Sequence, residues 1–169
     1  MEKAKPFVEM ALQAGVDHAV PFRIEEIVFD PRTLLKCMFG CSDWGKGHTC
    51  PSRPGSPRPW EYRQIFERYS WGVLIHSSDK RLSQEASFAV EREAFLLGYY
   101  FAFSLSDCAF CRECAGLRGQ PCVNPKKARP AFHSVGIDVF ATAHHFGLPL
   151  KTLKSEDEPQ DWYSAVFVE

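Results

Sequence analysis

The chain has 169 residues, 45% hydrophobic and 24% charged, a composition that excludes disordered and fibrous classes and suits one globular domain spanning 1–169. Twenty Lys and Arg against 21 Asp and Glu argue against a nucleic-acid or membrane-surface partner, because phosphate binding needs clustered positive charge. No stretch reaches the roughly 18 continuous apolar residues of a membrane span, and the opening segment, with Glu2 and Glu9, does not resemble a secretory signal. A cytoplasmic location is therefore expected, where clustered cysteines serve as metal ligands or catalysts rather than as disulfides.

In chain order, Pro6 opens a short helix carrying Phe7, Met10, Ala11 and Ala14 and stopping at Gly15. Val20, Phe22 and Ile24 alternate as a half-buried strand, and Phe29-Asp30-Pro31 closes that region with turn chemistry. Pro59 starts a second helix running to Tyr69, with Tyr62, Ile65, Phe66 and Tyr69 on one face. WGVLIHS (71–77) is an apolar run bounded by polar residues and is predicted to be a central strand.

Leu82, Ala86, Ala89, Val90, Phe95 and Leu97 form a helical stripe ending at Gly98. FAFSLS (101–106) alternates as a strand and leads into Cys108. Pro130 is predicted to open a helix through Phe132, Val135, Val139, Phe140, Ala143 and Phe146, ended by Gly147 and Pro149. Residues 150–153 and 162–169 are predicted as last strands, separated by an acidic loop at 155–161. This order implies an α/β single-domain sandwich on one mixed sheet, with two cysteine-rich metal-binding loops.

Those loops hold all seven cysteines. Cys108, Cys111, Cys114 and Cys122 have the spacing C-x2-C-x2-C-x7-C, which lets one tight loop aim its sulfurs at a common point. The first three match the run that holds an Fe4S4 cube in bacterial-type iron–sulfur proteins. The whole spacing equally matches the structural zinc lobe of medium-chain alcohol dehydrogenases, and four thiolates satisfy tetrahedral zinc. The Val-Asn-Pro after Cys122 and the basic Lys126, Lys127 and Arg129 suit an iron–sulfur loop, although a solvated helix start explains the basic run as well.

Cys37, Cys41 and Cys50 supply three thiolates at C-x3-C-x8-C. Three sulfurs on a cube leave one iron without a cysteine, an open position of the kind catalytic metals keep. His48 is the candidate fourth ligand, with a turn role as its alternative. Gly40, Gly45 and Gly47 let the backbone turn sharply and direct amides at sulfur. Trp44 is placed either to shield the site or to serve as an ordinary loop anchor, and prolines 51, 54, 57 and 59 stiffen the exit.

LKCMFGCSDWGKGHTCPS, FLLGYY, CAFCRECA and CVNPKKARPAFHSVGIDVFATAHHFGLPL together resemble a bacterial and archaeal family of uncharacterised predicted metal-binding proteins. The resemblance covers residues 35 to 150 and implies metal binding through these cysteines, of iron–sulfur type, without an established reaction. The chain departs from that pattern at Ser52, Trp44 and His133, so no acid–base role is assigned near His133.

Three further candidates are weighed against ordinary roles. Adjacent helical residues point about 100° apart, so His144 and His145 are assigned to the helix C-terminus rather than to one metal. Asp138 is either an outer-face acid or a buried one near a site, and His76 is read as a satisfied core histidine. No phosphate-binding loop, dinucleotide fingerprint or serine elbow is present. The expected function is an iron–sulfur protein with one or two 4Fe-4S centres, in electron transfer or as a redox accessory to a partner protein. An enzyme using the open iron and a zinc-stabilised interaction module are the alternatives; the oligomeric state is left open.

Overall fold

A computed structural model describes residues 1–155 and 157–169. Among them the chain forms five α-helices and four strands: α1 (Lys5–Gln13), β1 (His18–Arg23), α2 (Thr33–Gly40), α3 (Pro59–Phe66), β2 (Trp71–Ser77), α4 (Lys80–Leu96), β3 (Phe103–Ser106), α5 (Val139–His145) and β4 (Trp162–Phe167). None of these helices is long and apolar enough to cross a membrane. Glu156, in the predicted acidic loop, lies outside the described residues.

The strands form one sheet in the order β1-β2-β4-β3, and each neighbouring pair is antiparallel. The mixed sheet expected from the sequence is therefore corrected. β2, α4 and β3 do make a crossover between two strands of the same direction. β4 enters between them, however, antiparallel to both, and separates the pair that would have been parallel. Pro21 lies in β1, at the sheet edge, where the missing amide hydrogen is tolerated.

Helices cover both faces. On one, Phe7 and Ala11 of α1 and Ala86, Val90 and Ala94 of α4 bury Trp71, Val73, Ile75 and Val166. On the other, Phe66, Phe132, Val135, Ile137 and Ala143 bury Leu74, Leu105, Ala165 and Phe167. All seven residues of β2 are buried, as its unbroken apolar run requires. α4 begins at an N-cap, Asp79, whose side chain accepts from the amides of Arg81 and Leu82.

The helix predicted from Pro130 to Phe146 is broken. Residues Phe132–Val135 form a 3₁₀ turn, Gly136 takes a left-handed φ of 85°, and α5 starts only at Val139. A Cβ at Gly136 would stand 2.9 Å from the Pro59 side chain, so close packing on α3 also requires glycine there. Asp138 proves to be the N-cap of α5, accepting from the Ala141 amide at 3.0 Å. The predicted strand at 150–153 is irregular, whereas β4 occupies 162–167 as expected in place if not in full length. α2, which carries Cys37, was not anticipated. His144 and His145 close α5, with His144 Nε2 on the Leu150 carbonyl at 3.1 Å and His145 3.6 Å from Glu26.

Gly72 marks the tightest point of the sheet. A methyl there would lie 2.2 Å from the Val166 carbonyl oxygen and 2.4 Å from the Phe22 ring. Phe22 and Phe167 flank it on the neighbouring strands and meet edge-to-face at 5.2 Å. We predict that Gly72→Ala lowers stability by about 1–3 kcal/mol or more, the usual cost of overpacking, seen as a lower urea midpoint with little change in slope.

Candidate metal centre

The loop leaving β3 begins at Asp107, and α4 provides the wall against which it folds. Gln84, fully buried, accepts from the Ala109 amide at 2.7 Å and donates to the Lys127 carbonyl at 3.3 Å. One side chain thus brackets the four-cysteine loop at both ends. Arg129 is fixed just beyond it by Glu91 at 2.8 Å, with its guanidinium over Phe88 at 4.5 Å and Phe103 at 5.3 Å. The Phe110 ring stacks on Phe88, and Lys127 Nζ lies 4.8 Å from the Phe110 ring centroid.

The three-cysteine segment approaches from the other side. Cys37 lies on α2 and is only 4% exposed, whereas Cys41 is exposed and Cys50 half-buried. The two segments touch at Gly116, a buried residue whose added Cβ would stand 2.4 Å from the Lys46 carbonyl oxygen and 3.3 Å from Gly47 Cα. Backbone therefore meets backbone at a point that admits no side chain.

Between these walls lies a cavity of about 390 Å³. Cys37, Cys41, Cys50, Cys108, Cys111, Cys114 and Cys122 all line it, and all seven are free thiols. Two sequence-predicted loops thus face one chamber. Among the described residues no three His, Cys, Asp or Glu side chains are grouped closely enough to hold a single ion.

Donors are directed at the sulfurs. The Gly45 amide donates to Cys50 Sγ at 3.3 Å, Ser52 Oγ lies 3.0 Å from the same atom, and Asn124 Nδ2 donates to Cys111 Sγ at 3.2 Å. Burial pushes the Cys50 thiol up, but hydrogen bonds from Ser52 and Gly45 outweigh it and leave the pKa below the ordinary thiol value. Cys37 goes the other way, to about 11, through burial first and then the neighbouring Cys41 and Cys50. Cys108 is raised by burial of its sulfur first and then by Cys122, Asp107 and Cys114, partly offset by a backbone hydrogen bond at Arg129; its Sγ also donates to the Arg129 carbonyl at 3.7 Å.

Trp44 lines the chamber half-buried, as a shield would. His48 also lines it, but its Nδ1 contacts the Arg53 guanidinium and its carbonyl accepts from Arg53 at 2.8 Å. That places it in the turn role. His133 faces the same chamber; Lys80 and Gln84, which the sequence reading passed over, do too. His76 stands apart, with Nε2 2.9 Å from Asp161 and Nδ1 3.0 Å from His18 Nδ1. An ionised Asp161 only accepts, so His76 donates from Nε2 and accepts from His18, and is satisfied as expected.

The donor set is seven soft thiols, two of which, Cys50 and Cys111, receive N–H donors, and its chemistry suits a thiolate-ligated metal. The fold and chamber together define a mixed α/β protein with a thiol-lined chamber. A family model described as predicted metal-binding protein (DUF2284) matches residues 21–168, and the chain belongs to that family. No curated protein and no solved structure matches it.

In folded, metal-free protein near pH 8, we predict that Cys50 is alkylated well before Cys37, with Ser52→Ala slowing Cys50 alone. Timed labelling read by peptide mass spectrometry checks the order.

Proposed function

We propose that this is a cytoplasmic iron–sulfur protein with up to two Fe4S4 centres, serving electron transfer in concert with a redox partner protein. Cys108, Cys111, Cys114 and Cys122 would hold one centre, and Cys37, Cys41 and Cys50 the other. The observation that carries this reading is the single chamber lined by all seven thiols.

Several features support iron–sulfur over zinc. The chamber has many times the volume of one water molecule, room that a polynuclear cluster uses and one ion does not. Amide and hydroxyl donors to Cys50 and Cys111 are of the kind that tune cluster potential. Lys80, Lys127 and Arg129 on the wall offset the negative charge of a thiolate-ligated centre. When bound, such a centre would supply one-electron chemistry; the chain would hold it through the thiolates, with Trp44 and Phe110 on the chamber wall.

Anaerobic purification followed by iron, acid-labile sulfide and zinc analysis tests the reading. The expected protein is brown, oxygen-sensitive and rich in iron and sulfide. A colourless protein with stoichiometric zinc would overturn it and establish the zinc-stabilised interaction module instead.

One observation favours a second reading, catalysis at the three-cysteine set. That set has no fourth cysteine, and His48 is engaged by Arg53. An open position there would bind a small external ligand. Adding a small thiol or cyanide to the reduced protein is expected to change the electron paramagnetic resonance of that set, and an unaltered spectrum removes this reading.

A further inference from the structure

The segment 94–102, which reads AFLLGYYFA, carries no charge. It turns the chain out of α4: Gly98 takes a left-handed φ of 96°, and the Tyr99 amide reaches back to the Ala94 carbonyl at 3.0 Å. The turn is held in place. Tyr99 packs edge-on against Phe7 and Trp71 of the core, and the Ala102 amide bonds to the Tyr99 carbonyl at 2.9 Å. Tyr69 Oη donates to the Phe101 carbonyl at 2.7 Å.

Anchoring Tyr99 inward leaves its neighbours outside. Phe95, Leu96, Leu97, Tyr100 and Phe101 are each between 59% and 72% exposed, and the Tyr100 and Phe101 rings lie together at 4.6 Å. Phe101 also lines an open groove of about 950 Å³ with Pro57, Ile65 and Tyr69, where Glu61 and Arg68 supply both signs of charge. Singly exposed apolar residues need no explanation, but five within one fixed turn make a surface that binds something.

We infer that this surface is a two-fold interface between copies of the chain, the Tyr100–Phe101 projection of each set against the groove of the other. Composition, area and shape select a second copy as the occupant. Aromatic, charge-free surface is the make-up of homodimer interface cores, and beside a two-fold axis a residue meets its own equivalent, where a charge would repel itself. At roughly 150–250 Å² per aromatic side chain, Phe95, Tyr100 and Phe101 alone leave about 300–500 Å² open on each copy. Leu96, Leu97 and Ile65 take two facing copies past roughly 1,000 Å², the size that a specific interface clears.

The projection and the groove adjoin at Phe101, so one surface carries both halves of a self-complementary contact. A lipid surface fits less well, because no Lys or Arg stands between Arg92 and Arg112 to meet anionic headgroups. Dimerisation of this kind is independent of what the thiol-lined chamber binds.

Sedimentation velocity of the full chain, from low to high micromolar concentration and under a thiol reductant that excludes intermolecular disulfides, tests it. The expected wild-type species has twice the mass of the chain. Leu97→Asp/Tyr100→Asp on the projection and Ile65→Asp in the groove are each expected to weaken dimerisation about tenfold or more, the scale of a lost hot spot. Their far-ultraviolet circular dichroism is expected to match wild type. Where a variant misfolds, hydrogen exchange of the wild type decides: amides in 95–101 are expected to gain protection as concentration rises.

A wild-type chain that stays monomeric overturns the inference, whether or not it floats with phosphatidylcholine vesicles. So does a dimer that survives either folded variant, or one whose formation leaves exchange at 95–101 unchanged.

Discussion

The amide of Gln84 is completely buried, and both of its ends are occupied by backbone groups from the four-cysteine loop. Removing it would take the partner from the half-buried Ala109 amide and from the Lys127 carbonyl, a loss on the order of 0.5–1.5 kcal/mol for each hydrogen bond. The loop makes short 3₁₀ turns at Ala115–Arg118 and Pro125–Lys127 and no strand or long helix. Gln84, the Phe110–Phe88 stack and the Gly116 contact with Lys46 together set its position.

α4 is suited to this because its inward face is polar where it meets β3 and β4. Ser83 pairs with Ser164 at 2.9 Å, Ser87 with Ser104 at 2.9 Å, and Glu91 accepts the Ser104 amide while holding Arg129. Ala86, Val90 and Ala94 on the same helix supply the apolar burial. The helix is thus fixed in rotation and translation by directional bonds, and apolar area alone would not fix either. That rigidity passes to Gln84 and on to the loop.

The periodic parts of this architecture were legible in the residues. The alternation at Val20 and Phe22, the apolar run 71–77 and the stripe from Leu82 each act locally and each formed the expected type of element, although Ala89, Phe95 and Leu97 of that stripe are exposed and Ile24 lies beyond β1. The sheet order was not legible, because the placement of β4 between β2 and β3 is a contact between distant segments that no local pattern encodes. α2 escaped notice for a different reason: Phe39 is 81% exposed and Leu35 55%, so its pattern is not that of a buried stripe. The cysteine spacing announced thiol-rich loops, but not that they would share a chamber. Gly116 looked like any glycine in a loop, and Gln84 like any polar helix residue. A signal did exist in Ser83, Gln84 and Ser87, polar residues lying beside the apolar stripe where a purely hydrophobic contact would exclude them.

The thiols themselves supply the last argument about the chamber. Cys41 and Cys50 push the pKa of Cys37 upward, and Cys122 and Cys114 do the same to Cys108, because neighbouring thiolates repel. Each set alone is an arrangement of like charges in waiting, and the close approach at Gly116 brings the two sets together. Positive charge at the centre of the chamber removes the repulsion, since metal binding needs the deprotonated thiols and releases their protons. Lys127 and Arg129 contribute on the rim but are already engaged, with Phe110 and with Glu91. Deprotonating the seven thiols together would need positive charge among them, which the proposed centres would supply.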